Sequence, residues 1–394
     1  MNHVFNIWDK AMKKMDKPEL GSDAKQELTL TPADTLNANG ASKRHFLKVA
    51  GALAATSLFP VPFIRKAWAD EPLKISTFGG SFGQMFASEF FPEFSKATGV
   101  PVQRVDQASG SQFMLQLAQA NKAGKVPMDL CMMVDAQVLR GRKRNLWRSF
   151  DAKGLNNVQA LDTPYRRETD QGVDAVGALA YFMTMVVNPD MLDTQPDSWS
   201  VLWENHPNYW GVQSGAQSPM WEIAANLYFG GNDILNTREG IDKVIAKIAE
   251  IKPNVKLWWQ SEGTMQTALQ NEEVVGGTFV HDTAVYLENN GTSVHSIFPK
   301  EGGLQGVNYW CQPSGSKKID QARLFLEWSS SPEAQDIIAR KLMCAPLLPK
   351  SKLSLSEKEF AMVSSETKPI MIATEARMNH AEYLEQQFTR MLRG

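Results

Sequence analysis

The chain has 394 residues, with 41 Lys and Arg against 43 Asp and Glu and a formal charge of −2 at pH 7. Such balance argues against nucleic acid or an anionic membrane as the partner, since either favours a basic face. The length exceeds what one hydrophobic core holds, so two lobes with a cleft between them are expected, and three cysteines without a C-x-x-C pair (Cys131, Cys311 and Cys344) exclude a zinc knuckle or a thioredoxin-like motif.

In chain order, the first feature is a leader. Ser42-Lys43-Arg44-His45-Phe46-Leu47-Lys48 is followed by a weakly apolar run, Val49 to Pro60, and by the small-x-small triplet Ala67-Trp68-Ala69 before Asp70. A basic patch, a short apolar stretch and such a triplet compose an export signal. Pro60, Pro62, Arg65 and Lys66 close the run well short of the roughly 20 residues of a spanning helix. Cleavage is therefore expected near Ala69-Asp70, and with no cysteine after the triplet a soluble periplasmic protein is expected. The basic string is similar to a twin-arginine signal, with Lys43 where the first arginine normally stands, and the general export route stays open.

From Leu73 onward short β-branched runs alternate with helical periods, which indicates an α/β fold, mixed sheets flanked by helices. Leu73 to Phe78 predicts a strand and Gly79-Gly80-Ser81 a turn. Phe86, Phe90 and Phe94 mark one face of a helix at i, i+4, i+8, ended by Thr98-Gly99. Val100 to Val105 predicts a strand, Ser111 to Ala123 a helix and Met128 to Val134 a third strand. Gly177 to Asn188 is a long apolar run fit to cross between lobes, and Trp199, Leu202 and Trp203 share a short helix. Arg238 to Glu250 is amphipathic, with Ile241, Val244, Ile245 and Ile248 in register. Strands are expected at Val255 to Trp258, Val274 to Val280, Val294 to Phe298 and Val307 to Gln312. Ser331-Pro332-Glu333 opens a helix with a capping serine and an early proline.

Six phrases then gain meaning from their order: Phe78-Gly79-Gly80-Ser81; Phe91-Pro92-Glu93-Phe94 with Thr98-Gly99-Val100; Ser198 to Trp203; Lys252-Pro253-Asn254-Val255; Pro299 to Gly303; and Ser331 to Gln335. Over Leu73 to Arg340 the chain resembles the solute-binding proteins of ABC importers, in the branch of spermidine/putrescine and ferric-iron receptors. The resemblance implies two lobes that close on a ligand and present the closed form to permease subunits in the membrane, with neither cofactor nor catalytic residue. On that pattern residues 1–69 are the export leader, 70–180 the first part of lobe 1, 181–300 lobe 2, 301–345 a return to lobe 1, and 346–394 C-terminal helices packing across the lobes. A monomer is expected. The polyamine receptors usually carry a Trp where Val280 stands here and a Trp-x-Asp where this chain has Gly306-Val307-Asn308. Loss of that aromatic and that carboxylate argues against spermidine or putrescine, although Asp282 restores a charge if it points into the cleft. A small polar, nitrogen-containing solute is the expected ligand.

Candidate contacts follow from the ends of strands, where open α/β sheets hold ligands. Phe78, Gly79, Gly80 and Ser81 end the first strand, and their amides suit a polar group, though a plain strand-helix turn reads the same way. Asp135 and Gln137 end the third strand, where Asp135 also suits a helix N-cap. Ser214, Ser218 and Trp221 open a helix in the second lobe. His281 and Asp282 follow a buried strand, and Asn308 and Trp310 lie on the last strand, with packing the alternative for each. At most one of Trp258 and Trp259 faces the cleft.

Two other readings stay open. Gly79-Gly80-Ser81-Phe82-Gly83 satisfies G-x-S-x-G between a strand and a helix, as in serine hydrolases, although that elbow follows several strands and here it would follow the first. A ferric-ion receptor would use Tyr286 with His281 and Asp282, without the paired tyrosines such sites favour.

Overall fold

The computed structural model describes residues 71–107 and 111–394. The expected leader and its cleavage site lie outside the described residues. Eleven strands form one mixed sheet: β1 (Leu73–Thr77), β2 (Val102–Asp106), β3 (Leu130–Val134), β4 (Arg166–Thr169), β5 (Gly172–Val187), β6 (Trp210–Gln213), β7 (Val255–Trp259), β8 (Gly276–Val280), β9 (His295–Ile297), β10 (Leu304–Cys311) and β11 (Ile370–Met371). The order is β2-β1-β3-β10-β5-β8-β6-β7, with β11 on β10 and β4 and β9 on β5. At one end β1 runs parallel to β2 and β3, and at the other β6 runs parallel to β7 and β8. Between them β5 and β10 are antiparallel to each other and to their flanking strands.

β5 joins the two ends. Its 16 residues reach roughly 50 Å in an extended chain. Val176 to Met183 pair with β10, and Met183 to Val187 pair with β8. A strand buried on both faces reads as a continuous apolar run rather than an alternating one, and this is how Gly177 to Asn188 reads.

The helices named below are α1 (Gly80–Met85), α2 (Phe91–Thr98), α3 (Ser111–Lys122), α4 (Asp135–Arg142), α5 (Met220–Phe229), α6 (Arg238–Ala249), α7 (Glu262–Gln270), α8 (His281–Asn289), α9 (Ile319–Ser329), α10 (Pro332–Leu342), α11 (Thr374–Asn379) and α12 (Ala381–Arg393). Thr237 caps α6 by accepting from the Gly240 amide at 3.1 Å, and Ser331 caps α10 by accepting from Ala334 at 3.2 Å, with Pro332 in its first turn. None of the described helices is long and apolar enough to cross a membrane.

One local expectation needs correction. The Phe86, Phe90, Phe94 spacing predicts a single helix, but Phe86–Phe90 form a π turn between α1 and α2, and the Phe91 amide donates to the Phe86 carbonyl five residues back. Pro92 explains it: having no N–H, it cannot continue an α ladder, and the extra residue accommodates its ring. The inserted residue also turns Phe91 inward, so that Phe86, Phe90, Phe91 and Phe94 are all buried.

Two large apolar cores result, beside a small third cluster of Ala339, Leu355, Phe360 and Val363. In the first, Phe86 packs edge-on to Trp310 at 5.7 Å, Trp310 to Phe325 at 5.1 Å, Phe90 to Trp328 at 5.0 Å and Phe94 to Phe325 at 5.1 Å. Each such aromatic pair adds about 0.5–1.5 kcal/mol beyond its buried area. In the second core, Ile241, Val244, Ile245 and Ile248 of α6 pack with Trp199, Trp210 and Trp259. Along β5 the membership changes between Phe182 and Met183; along the later chain it changes between Leu304 and Val307, and again between Leu348 and Ile370. Ala376, Leu384 and Phe388 of the C-terminal helices join the second core.

Candidate functional site

A cavity of about 280 Å³ lies where the two cores meet. Four strands end at it. Phe78 follows β1; Gln213 closes β6; Glu262 begins α7 soon after β7; His281 and Asp282 begin α8 directly after β8. This is the carboxyl-end position at which open α/β sheets bind ligands. Tyr181 of β5, Gln217, Asn308 of β10 and Arg377 of α11 add to the polar lining, and Phe82, Met85, Phe182 and Leu342 are among the apolar groups.

Tyr181 supplies an aromatic that the sequence reading missed. Gly306 is its register partner on β10, and a Cβ built on Gly306 would come within 2.1 Å of Tyr181 Cζ. The ring therefore occupies the space above a residue that has no side chain.

His281 is committed to the fold. Its Nε2 lies 3.2 Å from the Met362 carbonyl, which can only accept, so Nε2 carries the proton. Its Nδ1 then accepts from the Ser296 hydroxyl at 2.8 Å, and that oxygen receives the Thr184 hydroxyl at 2.6 Å. Burial holds the imidazole down to about 4, outweighing the contact with Met362.

The two carboxyls beside it are less satisfied. Glu262 Oε2 is buried without a hydrogen-bond partner among the described residues. Burial first, and then the charge of Asp282, push the Glu262 carboxyl up to about 7. Burial also raises the carboxyl of Asp282, whose Oδ1 accepts the Thr283 backbone amide at 2.8 Å. Arg377 does not neutralise them. Its Nε and Nη2 donate to Glu222 at 2.7 and 2.5 Å, and Nη2 also donates to the Ser218 carbonyl at 2.9 Å.

Of the expected contacts, Phe78, His281, Asp282 and Asn308 line this cavity. The others lie elsewhere, each for a local reason. Trp310, two residues beyond Asn308 on β10, is taken up by the first core, edge-on to Phe86 and Phe325. Trp221 is fully buried in the second core, against Phe388, and donates to the Gly215 carbonyl at 3.1 Å. Ser214 donates to the Trp259 carbonyl at 3.2 Å, tying β6 to β7, and Ser218 accepts the Met220 amide at 3.3 Å at the head of α5. Gln137 accepts the Val134 amide at 3.1 Å at the start of α4, and Asp135 pairs with Arg167, which lies over the Tyr309 ring. Gly79 precedes α1, Gly80 has a φ of +70° and Ser81 stands in the first helical turn; the two glycines are not among the lining residues. Tyr286 is half-buried against the second core, and among the described residues no group of three His, Cys, Asp or Glu side chains is arranged to hold a metal ion.

Glu262 was open to the strand-end argument applied to Phe78, since it follows Trp258-Trp259-Gln260-Ser261. Arg377 carried no local signal; only the crossing of the chain from core to core brings it here.

A family model described as bacterial extracellular solute-binding protein matches residues 89–363. The gamma-aminobutyric acid-binding protein of Pseudomonas aeruginosa is 23% identical over 352 residues, covering 84% of this chain and 94% of that one. The spermidine/putrescine-binding periplasmic protein of Escherichia coli strain K12 is 23% identical over 260 residues, 64% of this chain and 71% of that one. Among solved structures, the crystal structure of an ABC transporter from Clostridium perfringens has a TM-score of 0.67 at 18% identity, with 81% of this chain and 99% of that chain covered. The likeness in structure shows the two-lobed α/β fold of periplasmic binding proteins.

Proposed function

Because the chain belongs to the bacterial extracellular solute-binding protein family, we propose that it captures a small nitrogen-containing organic solute in the cavity between its two cores and delivers it to the permease subunits of an ABC importer. The observation that carries this is the origin of the cavity wall: Phe78, Phe82 and Leu179 belong with the first core, and Met183, Val280 and Ile372 with the second. A ligand bound there touches both halves, so it favours the arrangement in which they are together. The names of the relatives, one for gamma-aminobutyrate and one for polyamines, support a nitrogenous ligand.

In this reading residues 1–69 direct export, cleavage falls near Ala69-Asp70, and the mature protein works in the periplasm as a monomer without nucleic acid. Residues 70–180 and 301–345 make lobe 1, residues 181–300 lobe 2, and residues 346–394 span the two. The protein releases its ligand unchanged. Against the hydrolase alternative, Nδ1 of His281 already accepts from the Ser296 hydroxyl and Nε2 faces the Met362 carbonyl, so this ring is not free to serve a serine of the G-x-S-x-G turn.

Thermal-shift screening of the mature protein tests the proposal, because a ligand that binds only the folded state raises the melting temperature with concentration. Gamma-aminobutyrate, putrescine, amino acids, organic acids and sugars form the panel. A rise of several degrees with an amine or amino acid supports the reading. A protein unmoved by any of them that is labelled at Ser81 by diisopropyl fluorophosphate, and turns over an ester, overturns it.

A further inference from the structure

Resting on that reading, we propose that Glu262, Asp282 and Asn308 form the subsite for the cationic end of the ligand, and that an alkylammonium entering it displaces the proton of the buried Glu262 carboxyl. Glu262 Oε2 and Asn308 Oδ1 are both buried acceptors without a partner among the described residues, and Asn308 is only 6% exposed. With Asp282 they present acceptors to one cavity. Buried acceptors left unpaired are costly, so the complementary ligand carries several N–H donors.

Charge sharpens the conclusion to a cation. The groups that face the two carboxyls are His281 from the same helix as Asp282, Tyr181 from β5, Cys344 after α10 and Arg377 from α11. His281 is neutral, with both nitrogens engaged; burial keeps Tyr181 and Cys344 protonated; and Arg377 is spent on Glu222. No counter-charge among the described residues is left for Glu262 and Asp282. A buried carboxyl oxygen with neither a hydrogen-bond donor nor a counter-charge favours its protonated form. The shift of Glu262 to about 7, part of it caused by Asp282, agrees with this geometry. In the exchange, the protonated carboxyl loses its proton to solvent and the resulting carboxylate accepts from the ammonium; no covalent bond to the ligand forms or breaks.

The test is calorimetric titration of the mature protein with gamma-aminobutyrate and with putrescine, whose alkylammonium groups stay charged between pH 6 and 8. Each is titrated at pH 6, 7 and 8 in phosphate and in Tris, whose ionisation heats differ. At pH 7 the heats should differ by the equivalent of about half a proton released per ligand, and the affinity should rise ~tenfold from pH 6 to pH 8. Glu262→Gln, nearly isosteric, should abolish both effects while its melting temperature shows it folded. Asp282→Asn should move the pH dependence below pH 6, because Glu262 then ionises more easily. Binding with equal heats in both buffers and a flat affinity from pH 6 to 8 overturns proton displacement while leaving the capture of a nitrogenous solute intact. A panel in which no amine binds and another solute class does overturns both.

Discussion

The two halves of the molecule meet at one cavity but contribute different chemistry to its wall. From the side of the first core come Phe78, Phe82, Met85, Phe182 and Leu342, with Asn308 as a buried amide among them; from the side of the second come Gln213, Glu262, His281, Asp282 and Arg377. Both halves give apolar surface, with Met183, Val280, Leu304 and Ile372 from the second, but the carboxyls, the imidazole and the guanidinium come from the second alone. The contrast has a structural origin. In the first half the neighbourhood of the cavity is braced by aromatic packing around Trp310 and Phe325, and in the second by hydrogen-bonded polar groups, Glu222 with Arg377 and His281 with Ser296 and Thr184. Bracing by polar groups leaves charge within reach of a ligand.

The comparison can be broken most forcefully at the two braces. Glu222→Ala would leave Arg377 buried and unpaired, and should cost about 3–5 kcal/mol in urea unfolding, together with loss of ligand binding. A change below about 1 kcal/mol would show that the ion pair does not brace the second half. Trp310→Ala should cost a similar 3–5 kcal/mol by opening a cavity in the first core, yet leave affinity within about twofold in the folded fraction. A large loss of affinity at unchanged stability would instead return Trp310 to the ligand site.

A pH experiment sharpens the contrast further. The folded-state value of His281, about 4, lies below the ordinary imidazole value of about 6.5, so the unfolded chain binds the extra proton between them. Its contribution is complete above pH 6.5 and disappears as the pH falls to 4. Glu262, raised to about 7, works in the opposite sense: relative to an unfolded carboxyl near 4.3, it favours the folded state as the pH falls through that window. The wild-type curve therefore blends two opposing trends, and a difference separates them. The stability of wild type relative to His281→Gln should decrease by about 3 kcal/mol between pH 7 and pH 4, with Glu262 common to both. A constant difference would mean that His281 is not held neutral.

The smallest effects concern Tyr181. Gly306→Ala should push the ring from its place above β10 and weaken binding by about tenfold, whereas Tyr181→Phe, which keeps the ring, should change affinity by less than about threefold. Equal losses in the two variants would assign the hydroxyl rather than the ring to the ligand.

Much of the architecture was legible from the chain because its signals are local. The β-branched runs, the register of Ile241, Val244, Ile245 and Ile248, and the Ser331-Pro332 cap each depend on neighbours a few residues away. The π turn was not, since the Phe86, Phe90, Phe94 period looks continuous until the missing donor of Pro92 is weighed. At the site, Phe78, His281, Asp282 and Asn308 could be found because they lie at or near the ends of strands or on a strand singled out by the resemblance. Trp221 and Trp310 could not be assigned, because an aromatic on a buried strand or helix reads the same whether it faces a core or a cavity. Tyr181 was concealed in an apolar run that names its strand but not which face lines the cavity. Arg377 depends on a contact with Glu222, 155 residues away in sequence.

The most direct measurement of all is a crystal structure of the mature protein with the solute that raises its melting temperature most. We expect that solute between Tyr181 and the Glu262, Asp282 and Asn308 acceptors, with nitrogen within about 3 Å of a carboxylate oxygen. Ligand density anywhere else, with this cavity left unfilled, would contradict the account.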